Sequence, residues 1–239
     1  MRKRLVFIGL IFLISCKKSS DELVSDRYVL SIWIENVTDG TKLYLRKQED
    51  NLSIDLDTTF VTNGEASFEG SIGAPEVYGI FIDGQTTGIF PIVEKGEVFI
   101  TADVKALEQT RIQGTFLNDQ LAQYKNRVAQ ILSKTNTHYH DFQKARAEND
   151  LNTLNQINER IAAIQKEKVA YAQSFVEQHP NSFVSTMVLH SMVINRELEN
   201  QQLFALYDRL SDEVKKTEFS KAIVIELQLD SLRRTPNTP

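Results

Sequence analysis

From Arg27 onward the chain alternates. Tyr28, Leu30, Ile32 and Ile34 fall on one side and Val29, Ser31, Trp33 and Glu35 on the other, the period of two that a half-buried strand requires. Asp39-Gly40 reads as a turn into residues 42–46, so residues 28–46 are expected to form a hairpin. Residues 53–61 form a further strand closed by Asn63-Gly64, a pair that tolerates positive φ at both central positions of a tight turn, and residues 65–69 are its expected partner. Strands at 77–83, 88–94, 97–103 and 111–113 follow, with Lys95-Gly96 turning the chain between two of them. Short strands separated by turn residues, with no helical stretch between, predict an antiparallel sandwich or open barrel over residues 27–115.

The rhythm then changes. After Asn118-Asp119, read as an N-cap pair, Leu121, Tyr124, Val128 and Ile131 recur at helical spacing. A second helix starts at Asp150, carries Leu151, Leu154, Ile157, Ile161, Ile164, Tyr171 and Phe175, and stops at His179-Pro180; at 1.5 Å per residue it is about 40 Å long. The third, after Pro180-Asn181-Ser182, has Phe183, Met187 and Ile194 on one side and is the most apolar, hence the one expected nearest the core. Two shorter helices are expected at 200–210 and 216–232, and residues 233–239 lack periodicity and are expected to fray as a disordered tail. The predicted fold class is α+β with segregated halves: an N-terminal antiparallel β-sandwich, then a C-terminal bundle of long amphipathic α-helices over residues 116–232.

Ahead of these lie three cations, Arg2, Lys3 and Arg4, and the apolar run 5–14, the length of a secretory h-region and too short to span a bilayer. The run ends on Leu13-Ile14-Ser15-Cys16, a pattern similar to a bacterial lipobox. Residues 1–15 are thus expected to be a signal peptide, and Cys16 to carry acyl chains such as palmitate. Residues 16–26, rich in Lys, Ser and acids, are expected to tether the fold to the membrane. Lipidation also accounts for the single cysteine of the sequence, which has no partner for a disulfide. Several acyl chains hold a protein stably where one holds it marginally. The expected location is a bacterial cell envelope, at the outer membrane.

Composition narrows the function classes. Loss of residues 1–15 takes Lys+Arg from 27 to 24 against 32 acids, so the formal charge moves from −5 to −8. The cations are scattered among acids, which argues against nucleic acid as a partner. Trp33, Tyr44 and Tyr78 are candidate aromatic binding residues, with core packing as the alternative for strand aromatics. Asp55 and Asp57, two apart on one strand face, together with Asp50, are a candidate carboxylate set, although no glycine-bearing calcium loop accompanies them. His138 and His140 form the only close histidine pair, and a metal site there needs ligands from elsewhere. His190 reads as a core histidine, and His179 suits a capping role at a helix end. No nucleophile elbow, phosphate-cradling loop, H-E-x-x-H or C-x-x-C occurs. Neither catalysis nor a cofactor or metal is expected.

Several segments together resemble a known arrangement. They are residues 39–45, Asp-Gly-Thr-Lys-Leu-Tyr-Leu; residues 57–70, from Asp57 through Asn63-Gly64 to Gly70; and residues 93–100, Val-Glu-Lys-Gly-Glu-Val-Phe-Ile. Ile112-Gln113-Gly114-Thr115, His179-Pro180-Asn181-Ser182 and residues 206–211 continue the likeness. The chain resembles the uncharacterised N-terminal β-domain and helical region of Bacteroidetes-type lipoproteins related to thioredoxin-like thiol-disulfide oxidoreductases of the AhpC/TSA type. In two-part members a thioredoxin-like domain with C-x-x-C follows; here the sequence stops at Pro239, about where that domain is expected to begin. The resemblance therefore implies an accessory half without the redox residues. Three functions are open at this point: a non-catalytic, lipid-anchored binding or accessory module; an envelope partner of a separate thioredoxin-like protein; and a glycan-binding or glycan-processing protein using the aromatics and Asp55 and Asp57.

Overall fold

The computed structural model describes residues 26–49 and 52–234. The signal peptide, Leu13, Ile14, Ser15 and Cys16, nearly all of the tether, Asp50 and residues 235–239 lie outside the described residues. Among the described residues no helix is long and apolar enough to cross a membrane.

Among the described residues eight strands come first: β1 (Arg27–Glu35), β2 (Lys42–Glu49), β3 (Leu52–Phe60), β4 (Glu65–Ser71), β5 (Glu76–Ile82), β6 (Ile92–Val93), β7 (Gly96–Asp103) and β8 (Arg111–Gln113). They form two four-stranded sheets, β4-β1-β7-β8 and β3-β2-β5-β6. Alternation decides what lies between them. Leu30, Ile34, Phe68 and Ile100 of the first sheet and Leu43, Leu45 and Ile80 of the second are fully buried in one core, each apolar face being driven from water against the other.

Two expected hairpins are corner crossings instead. β1 does not pair with β2, because both of its edges are occupied, by β4 antiparallel and by β7 parallel. Asn36, at φ 58°, swings the chain out, and its side chain bonds Asp103 at 2.9 Å. The Asp39-Gly40 turn exists, but it is fastened to the next corner: Gly40 N donates to Val61 O at 2.8 Å and Asn63 N to Asp39 Oδ1 at 2.8 Å. At that corner Asn63 and Gly64 adopt φ 53° and 79°, and Thr62 and Glu65 exchange hydrogen bonds at 2.9 and 3.0 Å. The ladder ends there, since β3 runs on in one sheet and β4 in the other. The sandwich is thus antiparallel save for the β1–β7 ladder. The strand expected at 88–94 contracts to Ile92–Val93, because Pro91 has no N–H to give a ladder; Ile89 makes an isolated bridge to Ile80.

Among the described residues six α-helices follow: α1 (Phe116–Ser133), α2 (Tyr139–Ala147), α3 (Leu151–Gln178), α4 (Phe183–Ile194), α5 (Asn200–Arg209) and α6 (Glu218–Arg234). Arg233 and Arg234 thus extend the last helix beyond its expected end. Helix α3 starts where Asp150 accepts from Thr153 N at 3.1 Å and Thr153 Oγ1 at 2.6 Å, bonds that hold its carboxyl below the ordinary aspartate range. Helix α4 is buried on nearly every side, from Phe183 through Leu189 to Val193, and packs against α3, α5 and α6. Of its three marked residues, Phe183 is buried, Met187 partly so, and Ile194 exposed.

The α1 boundary differs from expectation. Thr115 is the N-cap, and Asn118 lies inside the first turn and is buried. Capping passes to carboxylates: Glu94 accepts from Leu117 N at 2.7 Å, and Asp119 accepts from Gly114 N at 3.0 Å. Asn118 is thereby released to bond the sandwich. Its amide accepts from Ile92 N at 3.0 Å and donates to Ile92 O at 2.6 Å and to Thr115 Oγ1 at 2.8 Å. The side chain of Ile92 belongs to the helical core, with Val77 packed beside it, so the two halves share a seam.

Candidate functional site

On the outer face of the β4-β1-β7-β8 sheet, register brings side chains from three strands together. Trp33 lies opposite Glu65 of β4 and Thr101 of β7, and Ser31 lies opposite Ser67 and Phe99. Trp33 and Phe99 are therefore diagonal neighbours, within reach of one ligand. Both are 45% exposed, and Phe60, at the end of β3 in the other sheet, is 58% exposed. Large aromatics left this open in one place require explanation, whereas single ones do not.

Glycines seat two of these rings. A Cβ on Gly64 would sit 3.7 Å from Trp33 Cη2, and one on Gly114 only 2.6 Å from Phe99 Cδ2. Both rings lie beside glycine backbone, and at Gly114 a side chain would collide with the ring it faces. Trp33, Phe60 and Phe99 wall an open cavity of about 620 Å³, also lined by Ser31, Thr62, Asn63, Glu65, Ser67 and Thr101. No lysine or arginine is among its lining residues. Ser31 Oγ donates to Glu97 Oε1 at 2.6 Å, leaving its oxygen as an acceptor. The arrangement offers aromatic faces, hydroxyls and one lining carboxylate, a combination that orients a ligand presenting both apolar faces and polar edges.

The aromatic residues singled out from sequence do not assemble. Only Trp33 lines this cavity. Tyr44 is on the outer face of the other sheet, with Lys42 Nζ 4.8 Å and Arg46 Cζ 5.1 Å from its ring centre. Arg46 also covers Phe81, which meets Phe90 edge-on at 5.9 Å. Tyr78 points into the core in phase with Ile80 and Ile82 and packs edge-on against Tyr28 at 6.1 Å. Burial first, then the Glu76 carboxylate, pushes its phenol pKa up.

The two carboxylates separate as well. A bulge between the partners of Leu45 and Arg46 pairs Asp55 with Arg46 and Asp57 with Leu45, and because cross-strand partners point the same way, the two acids face opposite sides of the sheet. Asp55 binds Arg46 Nε at 2.6 Å, Asp57 accepts from Thr58 N at 2.7 Å, and neither lines the cavity. His138 and His140 flank the start of α2, where the His140 side chain is solvent-exposed 3.8 Å from Asp141. His179 is the C-cap of α3, its Nδ1 2.9 Å from Phe175 O. His190 meets Phe219 edge-on at 5.5 Å, and burial lowers its pKa, partly offset by Glu226.

Phe99 could be found from sequence, because it alternates with Val98 and Ile100 and a strand that buries those must present Phe99 outward. Phe60 could not, since its contribution depends on the corner that carries β3 past the other sheet. A family model described as Domain of unknown function (DUF4369) matches residues 28–121, the span from β1 into the first turns of α1. The N-terminal part of the chain is thus similar to a domain of unknown function, and the cavity lies wholly within the matched residues. No curated protein matches the chain.

Proposed function

We propose that this chain is a bacterial envelope lipoprotein, anchored at the outer membrane through acylated Cys16, which binds a ligand without transforming it. The cavity walled by Trp33, Phe60 and Phe99 is the observation that carries the binding part of this reading. The Leu13-Ile14-Ser15-Cys16 pattern supports the anchor. The proposal includes kinship with the accessory β-domains of Bacteroidetes-type lipoproteins related to thioredoxin-like oxidoreductases.

Two measurements test it. Metabolic labelling with an alkyne fatty acid should mark the protein, and Cys16→Ala should abolish the label and release the chain into the soluble fraction; an unlabelled, soluble wild type refutes the anchor. Hydroxyl-radical footprinting in intact envelopes should protect Trp33, Phe60 and Phe99 relative to the purified protein, with exposed Phe90, which packs on Phe81 of the opposite sheet, as reference. Equal oxidation in both settings refutes the binding face.

A second reading makes the ligand an envelope protein, a separate thioredoxin-like oxidoreductase acting in trans. Its support is the family resemblance together with Ile225 and Leu229, which α6 leaves 55% and 40% exposed. Co-purification of a thioredoxin-fold protein that Ile225→Asp abolishes would favour it.

A further inference from the structure

We infer that the cavity on the outer face of the β4-β1-β7-β8 sheet binds neutral carbohydrate, an oligosaccharide of uncharged pyranose units. The inference rests on the binding reading above and names its ligand class. Charge is the first argument: the lining holds Glu65 and no cation, Arg111 opposite Thr101 and Lys42 opposite Phe60 both standing outside it, so a phosphate, a carboxylate or a uronic-acid chain finds no opposite charge among the lining residues.

Shape and chemistry supply the second. A pyranose is amphipathic in its own way, with faces of polarised C–H bonds and a rim of hydroxyls. The faces suit the electron-rich surfaces of Trp33, Phe60 and Phe99, and the rim suits hydroxyl groups and a carboxylate that accepts from sugar O–H. Ser31 and Thr101 flank the Trp33–Phe99 diagonal in the strand register, and Ser67 lies opposite Ser31 on β4. An extended peptide is the rival ligand, and it draws affinity from an open strand edge. Trp33 lies on β1, whose two edges are both occupied, and Phe99 lies where β7 is laddered to β1 and to β8. The strands that carry Trp33 and Phe99 therefore have no main-chain edge to offer, the open edges being those of β4 and β3, which also line the cavity, so a ligand stacked on these two rings is recognised by side chains.

Trp33 is the only tryptophan in the chain, so its emission reports on this cavity alone. The full chain, solubilised in a detergent without a sugar headgroup, is titrated separately with hexasaccharides of β-1,4-glucan, xylan, chitin and α-1,4-glucan, with polygalacturonate, and with synthetic peptides free of tryptophan. The expected result is a saturable shift with at least one neutral saccharide and none with polygalacturonate. Phe60→Ala and Phe99→Ala should each weaken that binding about tenfold, the loss of one stacking ring. Phe99→Tyr, which keeps the ring, should retain it, and Tyr44→Ala on the opposite sheet should leave it unchanged.

A shift caused by peptides alone overturns the carbohydrate inference and leaves the binding reading standing. Saccharide binding that survives both alanine variants overturns it by moving the site elsewhere. No shift with any probe also overturns it, while the footprint in intact envelopes judges the broader reading independently.

Discussion

One amide bonds the main chain of the sandwich across the seam to the helices, and its removal has a calculable effect. Strand β6 is an edge strand, and the N–H and C=O of Ile92, a fully buried residue, both bond the side chain of Asn118, itself 3% exposed. Asn118 thus substitutes for a missing neighbouring strand. In Asn118→Ala both main-chain groups lose their partner in a place water does not reach. At about 1–3 kcal/mol for each buried group left unsatisfied, the variant should lose about 2–6 kcal/mol, a large part of the 5–15 kcal/mol typical of a folded protein. Urea unfolding followed by Trp33 emission reads the sandwich, and far-ultraviolet circular dichroism reads mainly the helices. The two transitions should coincide in the wild type, then move to lower urea and separate in the variant, because the contact couples two cores. A loss below about 1 kcal/mol with coincident transitions would refute this account of the seam.

Asn118→Asp supplies a signature that simple packing loss does not. A protonated aspartic acid can accept from Ile92 N and donate to Ile92 O as the amide does, whereas the carboxylate opposes the carbonyl, so burial raises its folded pKa. The stability of Asn118→Asp relative to the wild type should then be highest below the unfolded value of about 3.9 and fall as pH rises through the folded one.

Further outcomes concern the glycine seat and two helical side chains. Gly114→Ala forces a residue at φ 104° to carry a Cβ 2.6 Å from Phe99 Cδ2 and 2.8 Å from Glu97 O; differential scanning calorimetry should show a loss above about 1–2 kcal/mol, the cost of the left-handed conformation alone, and Phe99 should move from the cavity. His190 has a depressed folded pKa, so its contribution is complete above the unfolded value of about 6.5 and is lost as pH falls through the folded one. His190→Gln should flatten the decline of the urea midpoint over that acid range. Lys168 pairs with Glu197, whose side chain is 8% exposed, and Lys168→Met, by leaving that carboxylate alone, should cost about 2–4 kcal/mol in the same urea assay.

The residues show which features can be read from a sequence. The phase of β1 and the extent of α3 follow from long regular periods, and Asp150 marks its cap because its side chain has one local task. Strand pairing did not follow, since the correct partners of β1 are separated from it along the chain and turn chemistry at Asp39-Gly40 and Asn63-Gly64 fits a corner as well as a hairpin. Helix α2 escaped for a different reason: it has one buried residue, Ala145, and so little apolar rhythm. Asn118-Asp119 has the composition of a cap, yet Glu94, distant in sequence, takes part of that work and the asparagine serves another strand. At the site, Trp33 and Phe99 lie within reach of alternation. The separation of Asp55 from Asp57 is hidden in a single bulged residue, Leu56.

The parallel β1–β7 ladder governs the order in which the protein can be assembled. Tyr28 is paired with Gly96 and Glu35 with Asp103, so the first strand of the fold is a central strand, and one of its edges stays open until nearly all the other strands have been made. Closing so wide a loop precedes the contacts that reward it. Shortened chains that stop before Gly96 should therefore present an open edge of β1 and the inner faces of Leu30 and Ile32 to any neighbouring strand. For this fold, unlike one built from successive hairpins, the hazard of misassembly is set by how long the earliest segment waits.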